Sequence, residues 1–299
     1  MSAETLGGTS PAPGSGDKAG QAHGEPSASA DGFFRAEGDT LVPAAFAASP
    51  WGQVLHGRLI GGLTARAAEQ ARAEAPELAC GRLTVDLFRS VPLAPVRVTT
   101  STVRKGRRIV VLDVTVEQDD TVAGQGRVVL LRRSEQPDGT FRPVPAWAAP
   151  APPRLGPPRP ASGSGWTAPW ESWPVGGPAG GPAGGVLSGG MWLRDVHPLV
   201  TGERLTPLVR MAMAADIASP VSHYSARGLS FINADYTVYL GREPHGEHVG
   251  IQPCGHVSEH GVAVGQCVIH DERGAVGFVS TAAVANPTMG SRTGKGDHP

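Results

Sequence analysis

The chain has 299 residues and a formal net charge of −1, from 26 Lys and Arg against 27 Asp and Glu. That length accommodates two domains of ordinary size, each able to bury a core. The even charge leaves no basic footprint for nucleic acid or an anionic membrane, and no run approaches the ~20 apolar residues of a membrane-spanning helix. Cys80, Cys254 and Cys267 form no close pair and no metal-ligand spacing, so they read as cytosolic thiols. Met1-Ser2-Ala3-Glu4 lacks the basic and apolar regions of a signal peptide. A cytoplasmic protein without metal or cofactor is the expectation.

Residues 1–31 are rich in Gly, Ser, Pro and Ala and are expected to be disordered. An N-terminal domain follows over 32–142. In it Val54, Leu55, Leu59, Ile60, Leu63, Ala67 and Ala71 recur at helical spacing, and Pro76 closes the helix. Strands are predicted near 81–91, 95–104, 107–118 and 121–133, separated by turn residues such as Lys105-Gly106 and Asp119-Asp120. Residues 143–185 read as a Pro- and Gly-rich linker. Trp147, Trp166, Trp170 and Trp173 fall within it, so parts of it should lie against the folded surface.

The C-terminal domain is expected over 186–287, with a disordered tail at 288–299. It begins with a strand near 189–196 and a helix near 203–218, stopped by Pro220. Strands follow near 228–241, 246–258, 261–271 and 275–286. The helix-then-strands order thus occurs twice. The strand seeds Thr84-Val85-Asp86 and Asn233-Ala234-Asp235 match, although Asp is depleted in strands. Duplication explains both facts, and a structural role for Asp86 and Asp235 near a pseudo-twofold follows. Strands that do not alternate with helices define an α+β class, a sheet wrapped around a helix in each half.

Asp216 lies four residues after Ala212, seven after Val209 and eleven after Leu205, on the apolar stripe of the second helix. A carboxylate there is costly unless paired, and a helix C-terminus disfavours it further. Both effects raise its pKa and point to a function. The same spacing also fits a helix-end Asp turned to solvent. The scattered histidines lack the spacing of a metal site, and no Gly-x-Ser-x-Gly elbow is present.

Trp51-Gly52-Gln53-Val54-Leu55-His56-Gly57, Ile60-Gly61-Gly62, Arg104-Lys105-Gly106-Arg107-Arg108, Ala214-Ala215-Asp216 and Asp271-Glu272-Arg273-Gly274 resemble the double-hotdog acyl-CoA thioesterase II-like superfamily. The resemblance covers roughly 33–135 and 186–286 and implies a tandem hotdog, each half a long helix wrapped by an antiparallel sheet. It implies hydrolysis of an acyl-CoA or acyl-carrier-protein thioester, in homo-oligomers of double-hotdog units. The family's Asp, Thr and Gln correspond to Asp216, Asn233 and Ala282; Ala cannot bind water, so either Thr281 substitutes or the hydrolytic site is weakened. His56 and Gly57 would hold the thioester carbonyl at the first helix N-terminus. Arg104 and Arg107 would meet coenzyme A phosphates, although a charged turn is often simply solvated. Arg58 replaces the second Gly of the single-hotdog His-Gly-Gly pattern, leaving the first half catalytically degenerate. The alternative is an acyl-CoA-binding protein without turnover, because fold alone does not choose.

Overall fold

The computed structural model describes residues 31–159, 162–163, 166–176, 189–225 and 228–286. The tail expected at 288–299, residues 1–30 of the other tail and residues 177–188 of the linker lie outside them. The first half comprises β1 (Phe34–Glu37), β2 (Thr40–Pro43), β3 (Ala48–Ser49), β4 (Gly52–Leu55), α1 (Arg58–Arg72), β5 (Leu78–Leu87), β6 (Val96–Lys105), β7 (Ile109–Gln118) and β8 (Thr121–Arg132). The middle stretch holds β9 (Ser162–Gly163), β10 (Trp166–Thr167) and β11 (Trp170–Pro174). The second half comprises β12 (Met191–Asp195), α2 (Pro207–Ala215), α3 (Ala218–His223), β13 (Tyr224–Ser225), β14 (Gly228–Leu229), β15 (Phe231–Asn233), β16 (Asp235–Leu240), β17 (His248–Glu259), β18 (Val262–Asp271) and β19 (Gly274–Ala285).

One thirteen-stranded sheet runs β1-β2-β6-β7-β8-β5-β16-β19-β18-β17-β12-β11, with β15 also on β19. Its strand pairings are antiparallel. Period-two alternation sets the buried face: in β7, Leu112, Val114 and Val116 are buried while Asp113 and Thr115 are more exposed. The halves join at β5 and β16, where the two strand seeds meet. Asp86 faces Asp235, Val85 faces Tyr236, and Thr84 faces Thr237. Thr237 Oγ1 donates to Thr84 Oγ1 at 3.1 Å, and Asp235 Oδ1 accepts the Ala282 N–H at 2.7 Å. Burial, then the charge of Asp235, raises the pKa of Asp86.

The helices differ from the sequence reading. α1 is a single 15-residue helix, and Val54 and Leu55, read as its first turn, lie in β4 instead. The second half has no equally long helix: nine-residue α2 ends at Ala215, and six-residue α3 follows. Thr206 caps α2 through the Val209 N–H, and Pro207 occupies its first turn, so it starts later than expected. At its other end the Ala212 carbonyl accepts Tyr236 Oη–H at 3.0 Å, and the Met213 carbonyl accepts Arg58 Nε–H at 3.3 Å. The Ile217 N–H turns to the Ala214 carbonyl instead. Pro220 has no N–H for the Asp216 carbonyl, which takes the Ser219 N–H. Side chains from both halves thus compete for the last carbonyls, and the helix breaks at Asp216.

The middle stretch is more than a connector. β11 pairs with β12 as an edge strand. Trp147 Nε1 donates to the Gly189 carbonyl at 3.0 Å, Trp166 Nε1 to the Ala48 carbonyl at 3.0 Å and Trp173 Nε1 to the Gly156 carbonyl at 2.7 Å. Trp170 is buried. No helix among the described residues is long and apolar enough to cross a membrane, and none of their His, Cys, Asp and Glu side chains form a group of three able to hold a metal.

Candidate active site

The helix break delivers Asp216 into the seam between the halves. It is 7% exposed, at the end of α2 and against the start of α1. Its Oδ1 accepts Asn233 Nδ2–H at 2.9 Å. The Arg58 backbone N–H, at the N-terminus of α1, donates to His56 Nδ1 at 3.4 Å and is near enough to the carboxylate to favour its charge. Burial lifts the Asp216 carboxyl above the ordinary carboxylate range, while the Asn233 amide, the Arg58 charge and that N–H pull the other way. The positive end of α1 therefore opposes the unfavourable end of α2.

His56 Nδ1 lies 3.7 Å from Asp216 Oδ2. Burial, then the Arg58 charge, brings its pKa down to about 3. The imidazole is neutral at physiological pH, so the contact is polar and not an ion pair. Around Gly57 the helix N–H groups are mostly taken: Leu59 N–H bonds to the His56 carbonyl and Ile60 N–H to the Gly57 carbonyl. A side chain at Gly57 would sit 3.2 Å from Leu87 Cδ1 and 3.8 Å from Asp216 Oδ2, so glycine keeps the backbone close.

Trp170 and Trp166 wall this seam. The His56 ring lies 5.6 Å from Trp170 and 6.3 Å from Trp166. Arg58, 1% exposed, stacks its guanidinium 4.3 Å from the Trp170 ring. It binds Asp195 in bidentate fashion, at 2.7 and 2.9 Å. Arg58 replaces a glycine of the single-hotdog pattern, and it ties α1, α2, β11 and β12 together around Asp216. Sequence reasoning missed Asp195, yet the criterion that singled out Asp86 and Asp235, an Asp within a strand, applies to it equally.

Of the expected residues, Asp216, Asn233, His56 and Gly57 converge. Thr281 is 1% exposed and bonds to His223 Nε2 at 3.0 Å. Ala282, read as the family's Gln position, is on the outer face of β19, whereas Thr281 and Ala283 are buried and Ala283 pairs with Asn233. Arg104 and Arg107 lie at the exposed β6–β7 turn. Four strand spacings separate β6 from β16 in the sheet, roughly 19 Å.

Three neutral histidines held away from solvent make stability acid-sensitive. Burial brings His56 to about 3, and His223 and His270 to about 4, from 6.5. Below about pH 6.5 the unfolded chain binds protons that the folded chain refuses, so their stabilisation is present above that pH and lost on acidification toward 4. Asp216, shifted upward, acts in the opposite sense. A melting-temperature series across this window should fall steadily toward acid; a flat series would contradict the buried neutral state.

The family model of the acyl-CoA thioesterase N-terminal domain matches residues 47–131, and that of the C-terminal domain matches 144–283. The chain belongs to the double-hotdog acyl-CoA thioesterase family. The tesB protein of Mycobacterium avium subsp. paratuberculosis is similar in fold, with 15% identity, 85% of this chain and 96% of that chain covered, and a TM-score of 0.57. The acyl-CoA thioesterase II TesB2 of Mycobacterium marinum gives 17%, 89%, 96% and 0.56. A hot dog fold protein of unknown function from Alicyclobacillus acidocaldarius gives 17%, 85%, 95% and 0.58. No curated protein matches the sequence.

Proposed function

We propose that the protein hydrolyses an acyl-CoA thioester with a water directed by Asp216. The observation that carries this reading is the buried Asp216 carboxylate, held between the Asn233 amide and the start of α1. Because Asn233 gives its Nδ2–H to Asp216, its Oδ1 is turned to accept. A water bonded to the carboxylate and to Asn233 Oδ1 commits both of its protons and presents a lone pair to the thioester carbon. The Gly57 N–H receives the developing oxyanion, Asp216 takes the water's proton, and the departing thiolate receives it. His56 closes the water side of the pocket as a neutral ring, and Thr281 completes the polar inner face of β19. Arg104 and Arg107 are assigned to coenzyme A phosphates on charge alone. An acyl-carrier-protein thioester is the alternative donor. The setting we assign is cytoplasmic lipid metabolism, in homo-oligomers of double-hotdog units.

The test is thiol release from acyl-CoAs of short to long chain, and from an acyl-carrier protein. Release supports hydrolysis, and binding without release favours the non-catalytic reading. The latter draws on one observation, that Thr281 is already engaged by His223. In an active protein, Asn233→Ala should slow turnover less than a change at Asp216, because it loosens the water without removing the base. Ala282→Gln should leave turnover unchanged, since that side chain faces outward; a gain would contradict the assigned strand face.

A further inference from the structure

Across β17, β18 and β19, His256, Gly265 and Thr281 occupy one cross-strand row. His223, at the end of α3, lies over its middle. Its Nε2 is 3.0 Å from Thr281 Oγ1, and its Nδ1 is 2.9 Å from His256 Nδ1. His256 Nε2 is in turn 2.9 Å from Ser258 Oγ. The niche is built for this ring. A Cβ at Gly265 would meet Ser222, and would lie 2.8 Å from His223 Cε1. Phe231 packs at 5.6 Å from His223 and 5.7 Å from His256. His223 is 4% exposed, whereas His256 and Ser258 are exposed.

We propose that Thr281, His223 and His256 form a proton relay from the inner face of β19 to solvent, serving the hydrolysis assigned to Asp216 and resting on that reading. Hydrolysis of a thioester at neutral pH yields a carboxylate, a thiol and one proton. Asp216 returns the water's first proton to the thiolate, so the proton of the nascent carboxylic acid must leave a buried seam. Thr281 lies two residues along β19 from Ala283, the partner of Asn233, or roughly 7 Å along the strand. The relay as proposed includes one bridging water across that interval. Thr281 accepts the proton through it and passes its own hydroxyl proton to His223 Nε2. His223 Nδ1–H moves to His256 Nδ1, and His256 Nε2–H leaves to Ser258 or bulk water. Both rings end in the exchanged tautomer, and the chain resets in reverse once the product has left and the pocket is open to water: a solvent proton enters at His256 Nε2, His256 Nδ1–H returns to His223 Nδ1, and His223 Nε2–H passes to Thr281, which releases one proton to the open pocket.

The Nδ1–Nδ1 contact requires one ring to donate and the other to accept, so a neutral His223 is essential. Burial, then His256, brings its pKa down to about 4, which keeps it neutral over the working range. The titratable groups facing it from the packed strands are His256 on β17 and Cys267 on β18, whose thiol is pushed far upward by burial. The residues facing it from β15 and β19, Phe231 and Thr281, carry no titratable group.

His256→Ala is the decisive variant, because the exposed ring is not needed for folding. Its kcat for thiol release should fall roughly 10–100-fold, at or below the low end of a positioned acid–base contribution. KM should stay unchanged, and added imidazole should restore kcat in a concentration-dependent way. Gly265→Ala, which displaces His223, should lower kcat without imidazole rescue. A His256→Ala kcat equal to wild type, or a loss that imidazole leaves untouched, overturns the relay and leaves the hydrolase standing. A wild type that releases no thiol from any donor overturns both.

Discussion

Asp216→Asn should remove nearly all thiol release while leaving the protein at least as stable. The substitution is isosteric, and the amide oxygen it introduces still accepts from Asn233 Nδ2. The lost group is the general base, so kcat should drop about 10²–10⁴-fold, on the order of 3–5 kcal/mol of barrier. Burial disfavours the Asp216 charge, so its removal relieves a desolvation cost at neutral pH. Stability and activity are therefore expected to diverge at this position. The wild-type rate should climb with pH as Asp216 ionises, on a limb above the ordinary carboxylate range, and the variant should lack that limb. Single-turnover rates and melting curves on the same preparations check both. An unchanged rate would remove Asp216 from the mechanism.

Asp195→Ala should be the most destabilising of the substitutions considered. It strands the Arg58 guanidinium, 1% exposed, without its bidentate partner. Removing one partner of a buried pair costs about 3–5 kcal/mol, against a total stability of roughly 5–15 kcal/mol for a domain. The Met213 carbonyl and the Trp170 ring still hold Arg58, but neither neutralises it. The double variant Arg58→Met, Asp195→Leu should recover most of the loss, because the desolvation of both ions disappears with their attraction. Urea unfolding of wild type, Arg58→Met, Asp195→Leu and the double variant closes the cycle. Equal midpoints for Asp195→Ala and wild type would show the pair to be energetically idle.

The strand pattern was legible where a strand has one buried face, as β7 and β19 do, because burial writes a period of two into sequence. Asp86 and Asp235 were legible as a pair because an acid in a strand contradicts propensity twice at matching points. Asp216 was legible for a similar reason, a charge on an apolar stripe. The end of α2 was not. Periodicity reports which face is buried and is silent about carbonyls captured by Tyr236 and Arg58 from distant segments. β11 was hidden because five residues among prolines and glycines give too short a pattern, although the tryptophans marked the stretch as packed. Which of Thr281 and Ala282 faces inward was not legible, because a one-residue slip in a strand exchanges inside for outside.

The seam at Asp216 also bears on how this chain can change over generations. A duplicated fold begins with two interchangeable copies, either of which can be lost. Here the acid belongs to the second copy and the helix start that braces it to the first, while the Arg58–Asp195 pair crosses the same boundary. Each copy has ceased to be spare. The repeat has passed a point of no return, and a lineage carrying it can no longer shed either half without losing the seam.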